Sequence, residues 1–404
     1  MQPTDLRELI ASQRPGWSLG QPFYVSPEVY EYERRGWLAR QPHILGHSSE
    51  IREVGSFIVR NLLGESLIVL RDSEGVARGF YNVCRHRGSK ICDRDGRATS
   101  LLCPYHAWSY RLDGSLRAAA ALPEGIDTSI LGLRPIPVRE MGGLILGSLE
   151  GDLRHLDDVA AKLEPGLQYH GIPGARIAAR RCYPTKGNWK LVIENFLECY
   201  HCPPSHTEYC SVMGHVDALG YDSPTKSGQW DERVKVWFDS EADKGSPLTL
   251  LGSLVGDGTY GATRAPIGGG RRTQSQDGQP VAPLMGRTPA FDGGFGYFRC
   301  DPFVHLTTLN DHAVFFQFFP TGPDSTDVTL TWLVDGSASD SDVDVDRMVW
   351  LWDVTTLQDK VIIERNADGV RSRAYAPGPY SKLEDWTVRF IDQYLNGVKQ
   401  ALGS

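Results

Sequence analysis

In Cys84-Arg-His86-Arg-Gly, His86 stands sixteen intervening residues before Cys103, which opens Cys103-Pro-Tyr-His106-Ala-Trp. Thiolate and imidazole ligands therefore arrive as two Cys/His pairs, each within a short segment. Structural zinc pairs are usually spaced about two to four residues apart, which the single residue between Cys84 and His86 does not match. A two-iron, two-sulfide cluster matches better, with two thiolates on one iron and two imidazoles on the other. In both pairs the cysteine comes first, so parallel loops would set thiolate beside thiolate and imidazole beside imidazole. Neutral imidazoles raise the potential of such a cluster and suit it to accept electrons from a reduced flavin or ferredoxin. Arg85, Gly88, Tyr105 and Trp108 flank the ligands as hydrogen-bond donors or points of close backbone approach. Cys92, between the loops, matches no ligand position and reads as an ordinary buried cysteine.

A second concentration of chemistry lies in ENFLECYHCPPSH, residues 194–206. Read as a helix, it places Glu194, Glu198 and His201 at i, i+4 and i+7, on one face. Pro203 and Pro204 should break that helix, so that His206 returns from an extended segment to join His201 on one metal. Two imidazoles and one carboxylate with open positions make the facial ligand set of an Fe(II) oxygenase. The late helical stretch WDVTTLQDKVIIERNADGV offers Asp353 and Asp359 as the carboxylate. Cys199-x-x-Cys202 has the spacing of a redox pair or half a zinc site, but no second CxxC exists, and packing is the simpler role. Asn195 reads either as a hydrogen-bond donor to bound oxygen or water, or as a structural amide. Glu194 reads as a cap or a helix ion-pair partner.

Through C-x-H-x16-C-x2-H at Cys84, His86, Cys103 and His106, the chain resembles the Rieske non-haem iron oxygenases. The likeness runs from PFYVSPEVYEYERRGWL to GPYSKLEDWTVRF, nearly end to end. It implies a catalytic (alpha) subunit with a [2Fe–2S] Rieske cluster on the four Cys/His ligands and Fe(II) on His201 and His206. The segment around Asp359, followed by AYAPGPYS, resembles members acting on betaines and cholines and points to Asp359 as the third ligand, leaving Asp353 on the helix surface or as an outer partner. Most ring-hydroxylating members have Asp before the first iron histidine; this chain has Glu198, within ECYHC, like the branch acting on glycine betaine, carnitine, choline and stachydrine. The resemblance implies that Glu198 bridges a cluster histidine and an iron histidine across a subunit boundary, in a homo-oligomer that is most often a trimer. It further implies O2-dependent hydroxylation of an N-methyl group, with release of formaldehyde, driven by NAD(P)H through a separate flavin/iron–sulfur reductase. A cage for the ammonium group is expected among Trp230, Trp237, Tyr297, Phe298, Phe316 and Phe318, since a quaternary charge is attracted to ring faces.

The elements that must position these groups divide into an arm with a helix (1–39), a small all-β domain (40–155) and a mixed domain (156–404). Ser26 and Pro27 read as the N-cap and first position of a helix over 26–37. SFIVRNLL, SLIVLRD and GLILGSL read as strands of the first domain, and AVFFQFF and VTLTWLV as strands of the second. The fold class expected is α+β, with an antiparallel catalytic sheet flanked by helices. Residues 244–295, rich in Gly, Pro, Ser and Thr, read as a lid or a tolerated insertion. SASDSDVDVDR reads as a solvated loop leading to a helix over about 344–367.

Composition narrows the partners. A chain of 404 residues with net charge −8 and no long basic run offers no field for nucleic acid or an anionic membrane. MQPTDLRELIASQRPGW lacks the apolar core of a signal peptide, so a cytoplasmic protein is expected. Eight cysteines are too sparse for a disulfide scaffold. Two other readings remain at this stage: a ring hydroxylase acting on an aromatic compound, and a non-enzymatic iron–sulfur carrier or redox sensor. The carrier has no use for the second pair of histidines or for the long chain beyond the cluster.

Overall fold

The computed structural model describes residues 3–214, 216, 224–241, 253–255 and 260–403. It divides into two compact units, Ala39–Ala160 and a second formed by residues up to Leu38 together with those from Ala161 onward.

The Ala39–Ala160 unit is built of antiparallel strands. Ser56–Leu62 pairs with Glu65–Arg71 and this with Ala77–Tyr81, in a five-stranded sheet completed by two short edge strands. Their β-branched and aromatic residues alternate, so that Ile68, Leu70 and Phe80 turn inward. These three share a buried cluster with Cys84, Cys103, Trp108 and Tyr110, which ties the two ligand loops to the core.

The larger unit is organised on a seven-stranded antiparallel sheet. Its order is Arg176–Thr185, Ser325–Val334, Ala313–Gly322, Val304–Thr308, Gly294–Cys300, Tyr260–Pro266 and Ser253–Val255. Side chains alternate across it, so Tyr297 meets His305 on one face while Phe298 meets His170 on the other. The long helix Val345–Val370 starts from the Asp344 cap and packs against Arg176–Thr185 and the helix Trp189–Phe196. The arm belongs to this unit for a physical reason: Trp37 stacks on Trp189 at 5.5 Å, and the fully buried Lys190 ammonium pairs with the equally buried Glu33 at 2.7 Å. Ser26 caps Pro27–Arg35 by accepting from Val29 N–H, as its position before proline predicts.

Of the segment read as lid or insertion, residues 244–252 and 256–259 lie outside the described residues. The remainder includes the strand Tyr260–Pro266, which is integral to the sheet. Among the described residues no helix is long and apolar enough to cross a membrane.

Candidate metal centres

The two Cys/His segments fold as matching loops. Gly88 N–H returns to Cys84 O at 3.0 Å, and Ala107 N–H returns to Cys103 O at 3.1 Å. Each loop turns at the fourth residue after its cysteine, where Gly88 has φ 76° and Ala107 φ 57°. Gly88 adopts this left-handed conformation freely, whereas Ala107 is held in it at a cost. Both cysteines are buried and both histidines exposed. The imidazoles lie 4.7 Å apart, centroid to centroid, His86 stacked on Trp108 and His106 on Tyr105. Burial pushes the Cys103 thiol up, but the N–H groups of Tyr105 and His106 and the Cys84 sulfur more than offset it, so its pKa is lowered. Two inward sulfurs, that of Cys103 favoured as thiolate by backbone donors, beside outward imidazoles fit an asymmetric two-iron cluster. Tyr110 was not anticipated. It accepts from Arg85 N–H at 2.9 Å, leaving its own hydroxyl proton for Cys84 Sγ 3.1 Å away.

In the larger unit, His201, His206 and Asp359 bring one ligand atom each to within 4.8 Å of one another. His206 Nε2 lies 2.9 Å and His201 Nε2 3.3 Å from the same Asp359 oxygen. The rings are nearly perpendicular, with centroids 5.1 Å apart. The other ring nitrogens are committed elsewhere: His201 Nδ1 donates to Glu198 Oε1 at 2.6 Å, and His206 Nδ1 to Gln358 Oε1 at 2.9 Å. Both imidazoles therefore present Nε2 to a common point. Burial pushes His201 down, but its hydrogen bonds to the Asp359 and Glu198 carboxylates, and their charges, overcome this and raise it to about 9. A site that stabilises positive charge so strongly, with two nitrogens and a carboxylate oxygen converging, fits a divalent iron.

The local route to this geometry differs from the expected continuous helix. The helix ends at Phe196, so Glu194, Glu198 and His201 do not share one helical face. Glu198 folds back and accepts from the N–H groups of Tyr200 and, at 3.3 Å, His201, a local bond that competes with helix continuation. Cys199 and Cys202 are joined by a disulfide that closes this turn, so they do more than pack. Pro203 and Pro204 do not lead into an extended segment. They occupy the first turn of a new short helix, Cys202–Ser205, where a missing N–H costs nothing. His206 then stands between that helix and Thr207–Val212.

Other singled-out residues find definite places. The Asn195 side-chain nitrogen lies 3.4 Å from His201 Nε2, on the metal side of the ring. Glu194, read as a cap or a helix ion-pair partner, is instead half-buried and accepts from Tyr24 at 2.8 Å and Tyr380 at 3.1 Å. Its burial raises the carboxyl to about 7 against the pull of those hydroxyls. Asp353 accepts from Tyr183 at 2.6 Å and pairs with Arg181 at 2.7 Å, away from the ligands. Cys92 is half-buried, its thiol raised to about 11 by burial.

Of the aromatic candidates, Phe316 and Phe318 meet Phe196, and Tyr297 stacks on His305, on the sheet face turned to the metal ligands. Phe298 faces the other way. Trp237 is tied by its Nε1 to Asp292 O, and Trp230 packs under Arg233. Starting from His206, a series of ring contacts runs through Tyr209, Trp352 and Phe316 to Phe196. Tyr209, Trp352 and Phe196 carried no separate sequence signal, because an aromatic residue reads alike in a core and in a pocket.

Comparison with known proteins decides the family. Residues 174–399 match the ring hydroxylating alpha subunit (catalytic domain) family, and residues 41–135 the Rieske [2Fe-2S] domain. The chain belongs to the Rieske oxygenases. This Rieske oxygenase is an oxidoreductase catalytic subunit of the expected α+β class. It is 33% identical over 401 residues to the glycine betaine monooxygenase oxygenase subunit of Chromohalobacter salexigens, spanning 96% of this chain and 87% of that protein. Its fold is similar to the quaternary ammonium Rieske monooxygenase CntA, at TM-score 0.71 and 22% identity over 96% of this chain and 97% of that one. It is also similar to naphthalene 1,2-dioxygenase from Rhodococcus sp., at TM-score 0.68 and 20% identity over 98% of both chains.

Proposed function

We propose that this Rieske oxygenase hydroxylates an N-methyl group of a quaternary ammonium, betaine-like substrate. The N-hydroxymethyl product then separates into the demethylated amine and formaldehyde. The observation that carries this reading is the near full-length likeness to a glycine betaine monooxygenase subunit. The ring series from Tyr209 to Phe196 supports it, because aromatic faces attract a cation that no hydrogen bond can satisfy.

His201, His206 and Asp359 would hold Fe(II), which would supply the O2 chemistry, and Cys84, His86, Cys103 and His106 would hold a [2Fe–2S] cluster, which would supply electrons. The residues of the chain orient and insulate. Glu198 holds His201 through Nδ1 and, in a homotrimer, accepts from a cluster histidine of a neighbouring copy, completing an electron path. Asn195 donates toward the oxygen face of the site. The aromatic wall excludes water and holds the methyl group toward the metal. The electrons originate in NAD(P)H and reach the cluster through a separate flavin/iron–sulfur reductase, in the cytoplasm.

Single turnover tests the reading. The purified protein is reduced without oxygen, mixed with methylated ammonium compounds and aromatic acids, and exposed to O2. Loss of CH2 from an ammonium compound with matching formaldehyde is the expected result. Oxygen gain on an aromatic acid instead would reassign the substrate class.

A further inference from the structure

Gln358 and Glu208 were not singled out by the sequence, yet they form an ordered chain behind one metal ligand. Gln358 Oε1 accepts from His206 Nδ1 at 2.9 Å, while Gln358 Nε2 donates to Glu208 Oε2 at 2.9 Å. An ionised carboxylate only accepts, so Glu208 admits just one orientation of the Gln358 amide, with NH2 toward itself and oxygen toward His206. That oxygen in turn accepts only from a protonated Nδ1. The proton is thereby kept on Nδ1, and the Nε2 lone pair faces Asp359, 2.9 Å away.

We propose that Gln358, oriented by Glu208, is a positioning residue that sets the tautomer and ring angle of His206 for metal binding. This rests on the reading of His201, His206 and Asp359 as the iron site. The arrangement is asymmetric. His201 is backed by a carboxylate, Glu198, and His206 by a neutral amide. A neutral acceptor adds less electron density to its imidazole than an anion does, so His206 is the weaker donor of the two and depends more on correct orientation. Glu208 and Gln358 are both half-buried and neither belongs to the buried core, so substitutions there disturb little packing.

The test measures Fe(II) affinity by chelator competition on the full-length protein, with cluster absorbance recorded beside it. Gln358→Leu should weaken iron binding by roughly 10–100-fold while the cluster absorbance stays unchanged. Glu208→Gln, whose amide can both donate and accept, should weaken it by a smaller factor. The double variant Gln358→Glu/Glu208→Gln reverses donor and acceptor between the two positions yet keeps an acceptor on His206, and should recover most of the affinity. A merely structural role would lower the melting temperature without this rescue. Iron binding within twofold of the parent in Gln358→Leu, or no recovery in the double variant, would overturn the inference alone. If the leucine variant does not fold, Glu208→Gln and the double variant decide it by the same comparison. A parent protein that takes up no mononuclear iron would overturn the metal reading, and this inference with it.

Discussion

Glu198 Oε1 accepts the Nδ1 proton of His201 at 2.6 Å, and the same carboxylate holds the turn that carries the ring through Tyr200 N–H and His201 N–H. One side chain thus determines both where this imidazole stands and which nitrogen it offers. Replacing Glu198 by Gln keeps an acceptor of similar length but removes the charge. Metal content should remain near that of the parent, while re-oxidation of the cluster during turnover slows by roughly 10–100-fold. Stopped-flow absorbance checks this, and unchanged kinetics would remove the bridging role.

His201→Ala deletes a proposed iron ligand in the larger unit and leaves the loops of Cys84 and Cys103 untouched. Product formation should vanish and mononuclear iron fall, while the visible spectrum of the cluster persists. Loss of that spectrum would mean that the two centres are assigned to the wrong residues.

Cys84→Ala should give a colourless protein, since a buried thiolate cannot be replaced by solvent in its core position. A retained red-brown colour after purification would refute the cluster assignment.

Lys190 and Glu33 are both completely buried, and Trp189 Nε1 donates to the same carboxylate at 2.9 Å. Lys190→Met leaves Glu33 charged and without its cation in the core, which should cost about 3–5 kcal/mol. Thermal or denaturant unfolding measures the loss. Glu33→Gln with Lys190→Met should recover much of it.

Glu194 titrates near 7 when folded, because burial outweighs the hydroxyls of Tyr24 and Tyr380, against 4.5 in an unperturbed chain. The folded state therefore holds this proton more tightly. Its contribution is fully present below about pH 4.5 and is lost as pH rises through about 7. The loss is on the order of 3 kcal/mol over that window. Glu194→Gln should flatten this part of the stability–pH profile, as read from unfolding midpoints between pH 4.5 and 8; an unchanged slope would place the titration elsewhere.

Much of the chemistry was legible in the chain because metal ligation depends on residue type and short-range spacing. Cys84, His86, Cys103 and His106, the proposed cluster ligands, lie on tight local loops, so their pattern can be read without tertiary information. The strands Ala313–Gly322 and Ser325–Val334 are similarly visible as apolar, β-branched runs, and the helix Val345–Val370 as the segment that follows the acidic, solvated loop at 337–347. Local spacing failed where side-chain bonds competed with the backbone. The i, i+4, i+7 pattern of Glu194, Glu198 and His201 suggested one helical face, but Glu198 caps the following N–H groups and the Cys199–Cys202 disulfide closes the turn.

What only the tertiary structure decided are the relations between residues far apart in the chain. Nothing local says that Glu194 faces Tyr24 and Tyr380, that Tyr110 supports Cys84, or that Gln358 stands behind His206. These contacts arise because the arm, the sheet and the long helix bury polar groups together, and a buried polar group must find its partner wherever the fold brings one within reach. Sequence determines which atoms can bind metal; packing determines which nitrogen of each ring does so.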